Sequence, residues 1–323
     1  MSVPHIAVVV ATHNRAQLIA RLVAAVAGQR DVPGTWDLVV VDDASTDGTP
    51  AELARLAPES PVPLTALRLE RNAGPATARN RGWRAARGDL IAFTDDDCVP
   101  QPGWLSALSA ELAHADLVQG RTVADPAGRA HRGPWSRTIN ADGTTGLYET
   151  CNMGYSRELL EDLGGFDQGF RHPFGEDIDL ALRALDTGAR AAYADDALVH
   201  HDITPSSYRR RLADVPRQAG MVRTVRNHPT FRARLHHGVF VKPTHPPALL
   251  AALGAGLAAA RPTRPVNIAL GVALTVPYVH RRIRAGLWGR REWPVTIPLA
   301  LVADLLEIAV LARASVRHRT LVL

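Results

Sequence analysis

Four short apolar runs, each followed by a segment of different character, constrain the fold of this chain more than any other feature. Ile6 to Ala11 and Leu38 to Val41 read as strands buried on both faces. Leu64 to Leu69 reads as a shorter third strand and Leu90 to Phe93 as a fourth. Between them lie helical segments: Ala16 to Ala27, with Leu18, Leu22, Val23 and Val26 on one face, then Pro50 to Leu56, then Ala76 to Ala86 with Gly88 beyond it. Strands and helices that alternate in this way build a parallel, doubly wound sheet, so the expected fold class is α/β. Ligands of such sheets sit outside the carboxyl ends of the strands. Three of those ends are polar: Thr12, His13 and Asn14; Asp42 and Asp43; and Asp95, Asp96 and Asp97.

The three consecutive aspartates carry the chemistry. In an extended chain Asp95 and Asp97 point to one side and Asp96 to the other. Two carboxylates on the same side at the end of a buried strand repel each other unless a cation lies between them. Hard oxygen ligands of this kind suit Mg2+ or Mn2+. Taken alone, the stretch is equally compatible with a solvated acidic turn or an N-cap for a helix beginning near Trp104.

Further segments follow at a regular order: Arg71 to Pro75 with Ala78 to Gly82, Phe93 to Pro100, Asn152 to Tyr155, Gly164 to Asp167, and Phe174 to Leu180. Together with Ala11 to Arg15 and Val41 to Thr49 they resemble, in order and spacing, the family 2 inverting glycosyltransferases. The resemblance covers residues 5–205. It implies a Rossmann-like, mostly parallel sheet of the GT-A type, a nucleotide-diphospho-sugar donor, a hydroxyl acceptor and a Mn2+ or Mg2+ ion. It further implies that Asp43 faces the donor base, that Thr12 and Asn14 belong to the donor site, and that Arg79 stands near the phosphates. Asp97 would ligate the metal directly, and Asp95 would contact ribose or a metal-bound water. Because Asp96 is also an aspartate, the choice between Asp96 and Asp97 stays open. Inversion at an anomeric carbon requires a carboxylate base; Asp177 matches that position in the family, with Glu176 as the alternative.

The residues themselves admit plainer roles. Asp43 could cap a helix in an Asx-turn, and Arg79 could be an exposed helix residue. Acidic residues such as Glu176, Asp177 and Asp179 are favoured at any helix N-terminus. His201, or His200 beside it, could ligate the metal or contact the pyrophosphate, or the two could form a surface pair. A nucleotidyltransferase is the rival enzyme, but the glycine-rich basic signature expected near its first strand is not what Ala11 to Arg15 presents. A catalytically degenerate sugar-nucleotide binding module is the non-enzymatic rival, and the presence of both Asp97 and Asp177 speaks against it.

Beyond the fourth strand we expect a helix over Trp104 to Ala113 and a strand over Asp116 to Val123. An acceptor or active-site loop should follow over Asp125 to Gly146. Helices over Arg157 to Leu163 and from Phe174 to about Thr187, and strands over Ala189 to Ala194 and Ala197 to His201, complete a domain over 1–205.

Charge separates that domain from the helical region at 206–323. Residues 1–200 carry 18 Lys and Arg against 27 Asp and Glu, whereas residues 201–323 carry 19 against 5, a net charge of +14. No nucleic-acid module is visible, and the basic residues are interleaved with apolar runs, so an anionic membrane surface is the expected partner. Those runs, Pro247 to Ala260, Val266 to Val279 and Val295 to Ala312, are short or interrupted. Fourteen helical residues span about 21 Å against a hydrocarbon core of ~30 Å. The last run holds Asp304 and Glu307, awkward on a lipid-facing helix. Peripheral or re-entrant attachment is therefore expected, with a helical-hairpin oligomerisation domain as the alternative. Cys98 and Cys151 make no disulfide framework, and the N-terminal residues show no signal-peptide pattern. The expected location is the cytoplasm, on the inner face of the cell membrane.

Overall fold

The computed structural model describes residues 4–170, 172–284 and 292–323. The chain divides into two compact units, Met1–Ala130 with Thr138–Thr204, and His131–Arg137 with Pro205–Leu323. Part of the expected acceptor loop, His131–Arg137, thus belongs to the second unit.

The first unit is built on one sheet of β1 (His5–Thr12), β2 (Thr35–Asp42), β3 (Leu64–Arg68), β4 (Leu90–Thr94), β5 (Cys98–Pro100), β6 (Leu117–Ala124), β7 (Asn152–Ser156) and β8 (Ala191–His201). Their order is β3-β2-β1-β4-β7-β6-β8-β5. Strands β1 to β4 pair in parallel, as the alternation with α1 (Ala16–Ala27), α2 (Thr49–Glu59) and α3 (Pro75–Ala85) requires. The sheet is mixed beyond them, because β7 pairs antiparallel with both β4 and β6, and β5 pairs antiparallel with β8.

Alternate residues of β1 feed two cores. Ile6, Val8 and Val10 pack with Ile19, Leu22 and Val26 of α1 and with Trp104 and Leu108 of α4 (Trp104–Leu112). Ala7 and Val9 pack with Trp83 of α3, Leu160 of α5 (Arg157–Leu163) and Leu180 of α6 (Glu176–Asp186). Helix α3 approaches closely because Gly82 faces the sheet; a Cβ there would lie 2.5 Å from Cγ1 of Val9.

Two expectations change. Strand β5 was not foreseen, and β8 is one strand where two were expected. Its pairing with β6 shifts between Gly120 and Thr122, which leaves residues 195–198 out of register.

The second unit contains α7 (Tyr208–Asp214), α8 (Ala219–Asn227), α9 (His245–Ala260), α10 (Pro265–Arg284) and α11 (Trp293–His318). Among the described residues only α11 is long and apolar enough to cross a membrane, by length and composition. Its two acids point inward. Glu307 is buried and accepts from Lys242 at 2.6 and 2.8 Å and from Arg211 at 3.0 Å, while Asp304 accepts from Arg282 and from the Tyr278 hydroxyl.

Candidate active site

The aspartate triplet does not continue β4. The Cys98 N–H donates to the Asp95 carbonyl at 3.1 Å, so Asp95 to Cys98 form a turn and strand alternation no longer places the side chains. The three carboxylates go three ways. Asp95 accepts from Arg79 at 2.8 Å, Asp96 lies 3.4 Å from Nε of Arg15, and Asp97 lies 3.5 Å from Nε2 of His201. The last contact follows from the sheet, because the β5–β8 register sets Cys98 opposite His201.

The tautomer of His201 can be argued from its neighbours. Its Nδ1 lies 3.0 Å from the Asp202 carbonyl, which only accepts, so Nδ1 carries the proton. In the neutral ring Nε2 is then a lone pair facing the Asp97 carboxylate. Two acceptors turned toward each other in a buried setting are relieved by a proton on the ring or by a cation between them, and an imidazole oriented by a carbonyl behind it is a common arrangement for a metal ligand. The fit with a divalent cation rests on this pair. Cys98 adjoins it but is buried, and burial pushes its thiol well above the ordinary range. The carboxyls are strained in the same sense. Burial, then the charge of Asp97, pushes Asp96 up to about 7, and burial raises Asp97.

Arg79 links this turn to a second acidic element. Its guanidinium donates to Asp95 and, at 3.0 Å, to Glu176 in the first turn of α6, and it lies over the Phe166 ring. Burial alone would depress its pKa; the two carboxylates outweigh that and raise it. The cation expected beside phosphates is thus held by two carboxylates. Glu176 also accepts the Phe174 N–H at 2.8 Å. Asp177, half-buried, accepts the Ile178 N–H at 2.9 Å and makes no ion pair among the described residues. Burial, then the Glu176 charge, pushes Asp177 up to about 8.

At the ends of β1 and β2 the polar side chains are tied to loops. Both oxygens of Asp43 accept main-chain N–H groups, from Ala73 at 2.7 Å and Gly74 at 2.9 Å. Asp43 is therefore no helix cap; the Asx-type contact belongs to Asp42, which accepts the Ser45 N–H at 2.9 Å and pairs with Arg68 at 2.7 Å. Asn14, at φ 56°, accepts from the Thr46 and Asp47 N–H groups, and Thr12 is buried beside Asp96. Sequence reasoning missed Arg15, Arg68 and Phe166. Arg15 stood in the polar turn and Phe166 in the Gly164 to Asp167 segment already noted, whereas nothing in the local pattern marked Arg68.

A family model described as glycosyl transferase family 2 matches residues 7–164. A Bacillus subtilis protein named as an uncharacterized glycosyltransferase, YwdF, is 30% identical over 190 residues, covering 55% of this chain and 67% of the relative. The chain belongs to glycosyl transferase family 2. The pre-mycofactocin glycosyltransferase of Mycobacterium tuberculosis is 29% identical over 211 residues, 61% of this chain, and the match spans only 42% of that relative. The mannosyltransferase PcManGT from Pyrobaculum calidifontis, solved with GDP-Man and Mn2+, superposes with a TM-score of 0.58 at 23% identity, over 94% of this chain and 86% of that one. This likeness shows a shared fold of the GT-A type.

In this family 2 chain two of the motif asparagines are structural. Asn80 accepts the Phe166 N–H at 2.9 Å and donates to the Phe166 carbonyl at 2.8 Å. Asn152 accepts from the Trp104 indole and donates to the carbonyls of Arg121 and Ala197. A second group of metal-ligand type, His245, Asp304 and Glu307, lies in the C-terminal unit, but Arg211, Lys242 and Arg282 already compensate its two carboxylates.

Proposed function

We propose that this protein is an inverting glycosyltransferase that moves a sugar from a nucleoside-diphosphate donor to an acceptor hydroxyl, with its basic C-terminal unit resting on an anionic membrane surface. The observation that carries the reading is the Arg79 bridge. It joins the turn holding Asp95, Asp96 and Asp97 to the helix start holding Glu176 and Asp177, so a cation-seeking pair and a raised carboxylate with no ion pair among the described residues belong to one electrostatic unit. Asp97 and His201 would hold a Mn2+ or Mg2+ ion, which when bound offsets the charge of the donor diphosphate and of the leaving nucleotide. Asp177 takes the proton of the acceptor hydroxyl as that oxygen attacks the anomeric carbon from the face opposite the nucleotide. A base of raised pKa is suited to this near neutral pH. Glu176, fixed by Arg79 and the Phe174 N–H, stands beside Asp177, and after burial its proximity is the next cause that raises that carboxyl. Thr12, Asn14 and the Asp43 loop shape the nucleotide end, where Asp43 retains a further lone pair on each oxygen for a base N–H.

A panel of nucleotide-sugars incubated with Mn2+ and simple acceptors tests this. Release of nucleoside diphosphate together with a product of inverted anomeric configuration by NMR is the expected result. Release of pyrophosphate would assign nucleotidyl transfer, and retained configuration would remove Asp177 from its role.

A further inference from the structure

We infer that α9 and α10 form a hairpin whose outer face is embedded in bilayer hydrocarbon. The inference deepens the membrane-surface reading above and is independent of the transfer chemistry.

The hairpin has small residues inside and large ones outside. A Cβ on Gly254 would lie 2.8 Å from the Gly271 carbonyl oxygen, and one on Gly271 would lie 2.8 Å from the Gly254 oxygen and 3.1 Å from Cβ of Ala258. Backbones approach this closely where helices associate in lipid, because burying apolar surface gives no drive there and close contact must supply it. The bulky residues point away from the crossing: Leu253 is 56% exposed, Val272 61% and Val266 68%, with Leu250, Ile268 and Val276 also open. A helix pair stabilised in water turns such residues toward its partner.

The polar groups obey the same rule. From Pro246 to Ala260 no polar side chain occurs. From Pro265 to Val279 there are three, and each is satisfied within the unit. Asn267 donates to the Leu257 carbonyl at 3.2 Å, Thr275 to the Gly271 carbonyl at 2.9 Å, and Tyr278 to Asp304 at 3.1 Å. That is the requirement hydrocarbon imposes. An open apolar groove of about 540 Å³ between the helices, lined by Gly254, Ala258, Gly271, Thr275 and Val279, continues the surface and can seat lipid chains.

Charge selects a lipid bilayer over a protein partner. Exposed Arg261 and Arg264 occupy the turn between the helices, and exposed Arg281 and Arg284 lie at the far end of α10. The stretch from Pro265 to Val279 spans about 22 Å, less than the ~30 Å core, so long arginine side chains are needed to reach anionic headgroups at both ends. Helix α11 turns Asp304 and Glu307 inward onto Arg282, Lys242 and Arg211, so its acids place no charge on the apolar face of the hairpin.

The test uses the full chain carrying Leu253→Cys, Val272→Cys or, as a control, Glu59→Cys, each labelled with an environment-sensitive dye. Native Cys98 and Cys151 are buried. On phosphatidylglycerol–phosphatidylcholine vesicles with spin-labelled acyl chains, the labels at 253 and 272 should shift to the blue and be quenched, and should stay so when salt is raised after binding. The control should not respond. Leu253→Asp combined with Val272→Asp should weaken vesicle binding about tenfold or more without altering donor binding. Vesicle binding with both labels still in water would overturn insertion while leaving surface attachment standing. No vesicle binding at all would overturn both. A blue shift that needs no vesicles and grows with protein concentration would assign the face to a second copy of the chain and overturn the inference.

Discussion

Arg79 and Glu176, 97 residues apart in the chain, meet at 3.0 Å with both side chains almost wholly removed from solvent. A buried pair of this kind adds little stability compared with an apolar replacement, but breaking it from one side leaves a charge without a partner. We expect Arg79→Met to lower unfolding free energy by about 3–5 kcal/mol in urea denaturation, and Arg79→Met with Glu176→Gln to recover part of that loss. A loss below about 1 kcal/mol would mean that water already compensates Glu176.

Asp177 links proton transfer to pH. A base must be ionised, so the rate of the unaltered protein should rise with pH through the neighbourhood of 8, the value to which burial and Glu176 push this carboxyl. Asp177→Asn should cut turnover by roughly 10²–10⁴ and remove that limb, with donor affinity changed only a few-fold. Stability moves the other way. A carboxyl whose pKa is raised on folding stabilises fully below its unfolded value of 3.8 and loses that contribution as pH rises through about 8. At pH 8 and above, Asp177→Asn should therefore melt higher than the unaltered protein.

The Asp97–His201 pair gives a readout that needs no substrate. Mn2+ should raise the melting temperature, and both Asp97→Asn and His201→Gln should abolish the increment. Without added metal, Asp97→Asn should be at least as stable as the parent, since it removes one of three crowded carboxylates. An unchanged Mn2+ response in both variants would place the cation elsewhere.

Gly165 and its neighbour Gly164 separate backbone strain from packing. Both adopt left-handed φ, 76° and 70°. A Cβ on Gly165 would lie 2.4 Å from Oδ1 of Asn80 and 2.7 Å from the Trp83 indole nitrogen, whereas one on Gly164 meets nothing within 4 Å. Gly164→Ala should cost about 1–2 kcal/mol from backbone conformation alone. Gly165→Ala should cost about 1–3 kcal/mol more, measured by the same denaturation.

The parallel half of the sheet was legible because strands buried on both faces read as unbroken apolar runs, and its polar strand ends followed directly. Strand β5 was not legible: three residues after a turn carry no periodicity, and β8, some hundred residues later, decides their pairing. The same register brings His201 to Asp97. Its place after an apolar strand made it a candidate, but its facing partner is a tertiary fact. Arg79 shows the limit most clearly. Its helix was readable, whereas its position between Asp95 and Glu176 depends on α6 arriving from far along the chain.

The Asp43 carboxylate grips its loop through main-chain N–H groups, while the Asp43 N–H reaches the Thr12 carbonyl at 2.8 Å. Main-chain groups are the same whatever side chain they carry. The segment around Ala73 can therefore drift in composition without releasing the carboxylate, apart from Gly74, whose φ of 89° favours glycine. It cannot change in length. One inserted or deleted residue between Asn72 and Pro75 would slide both N–H groups past the two oxygens, so the loop is held to a residue count more strictly than to an alphabet.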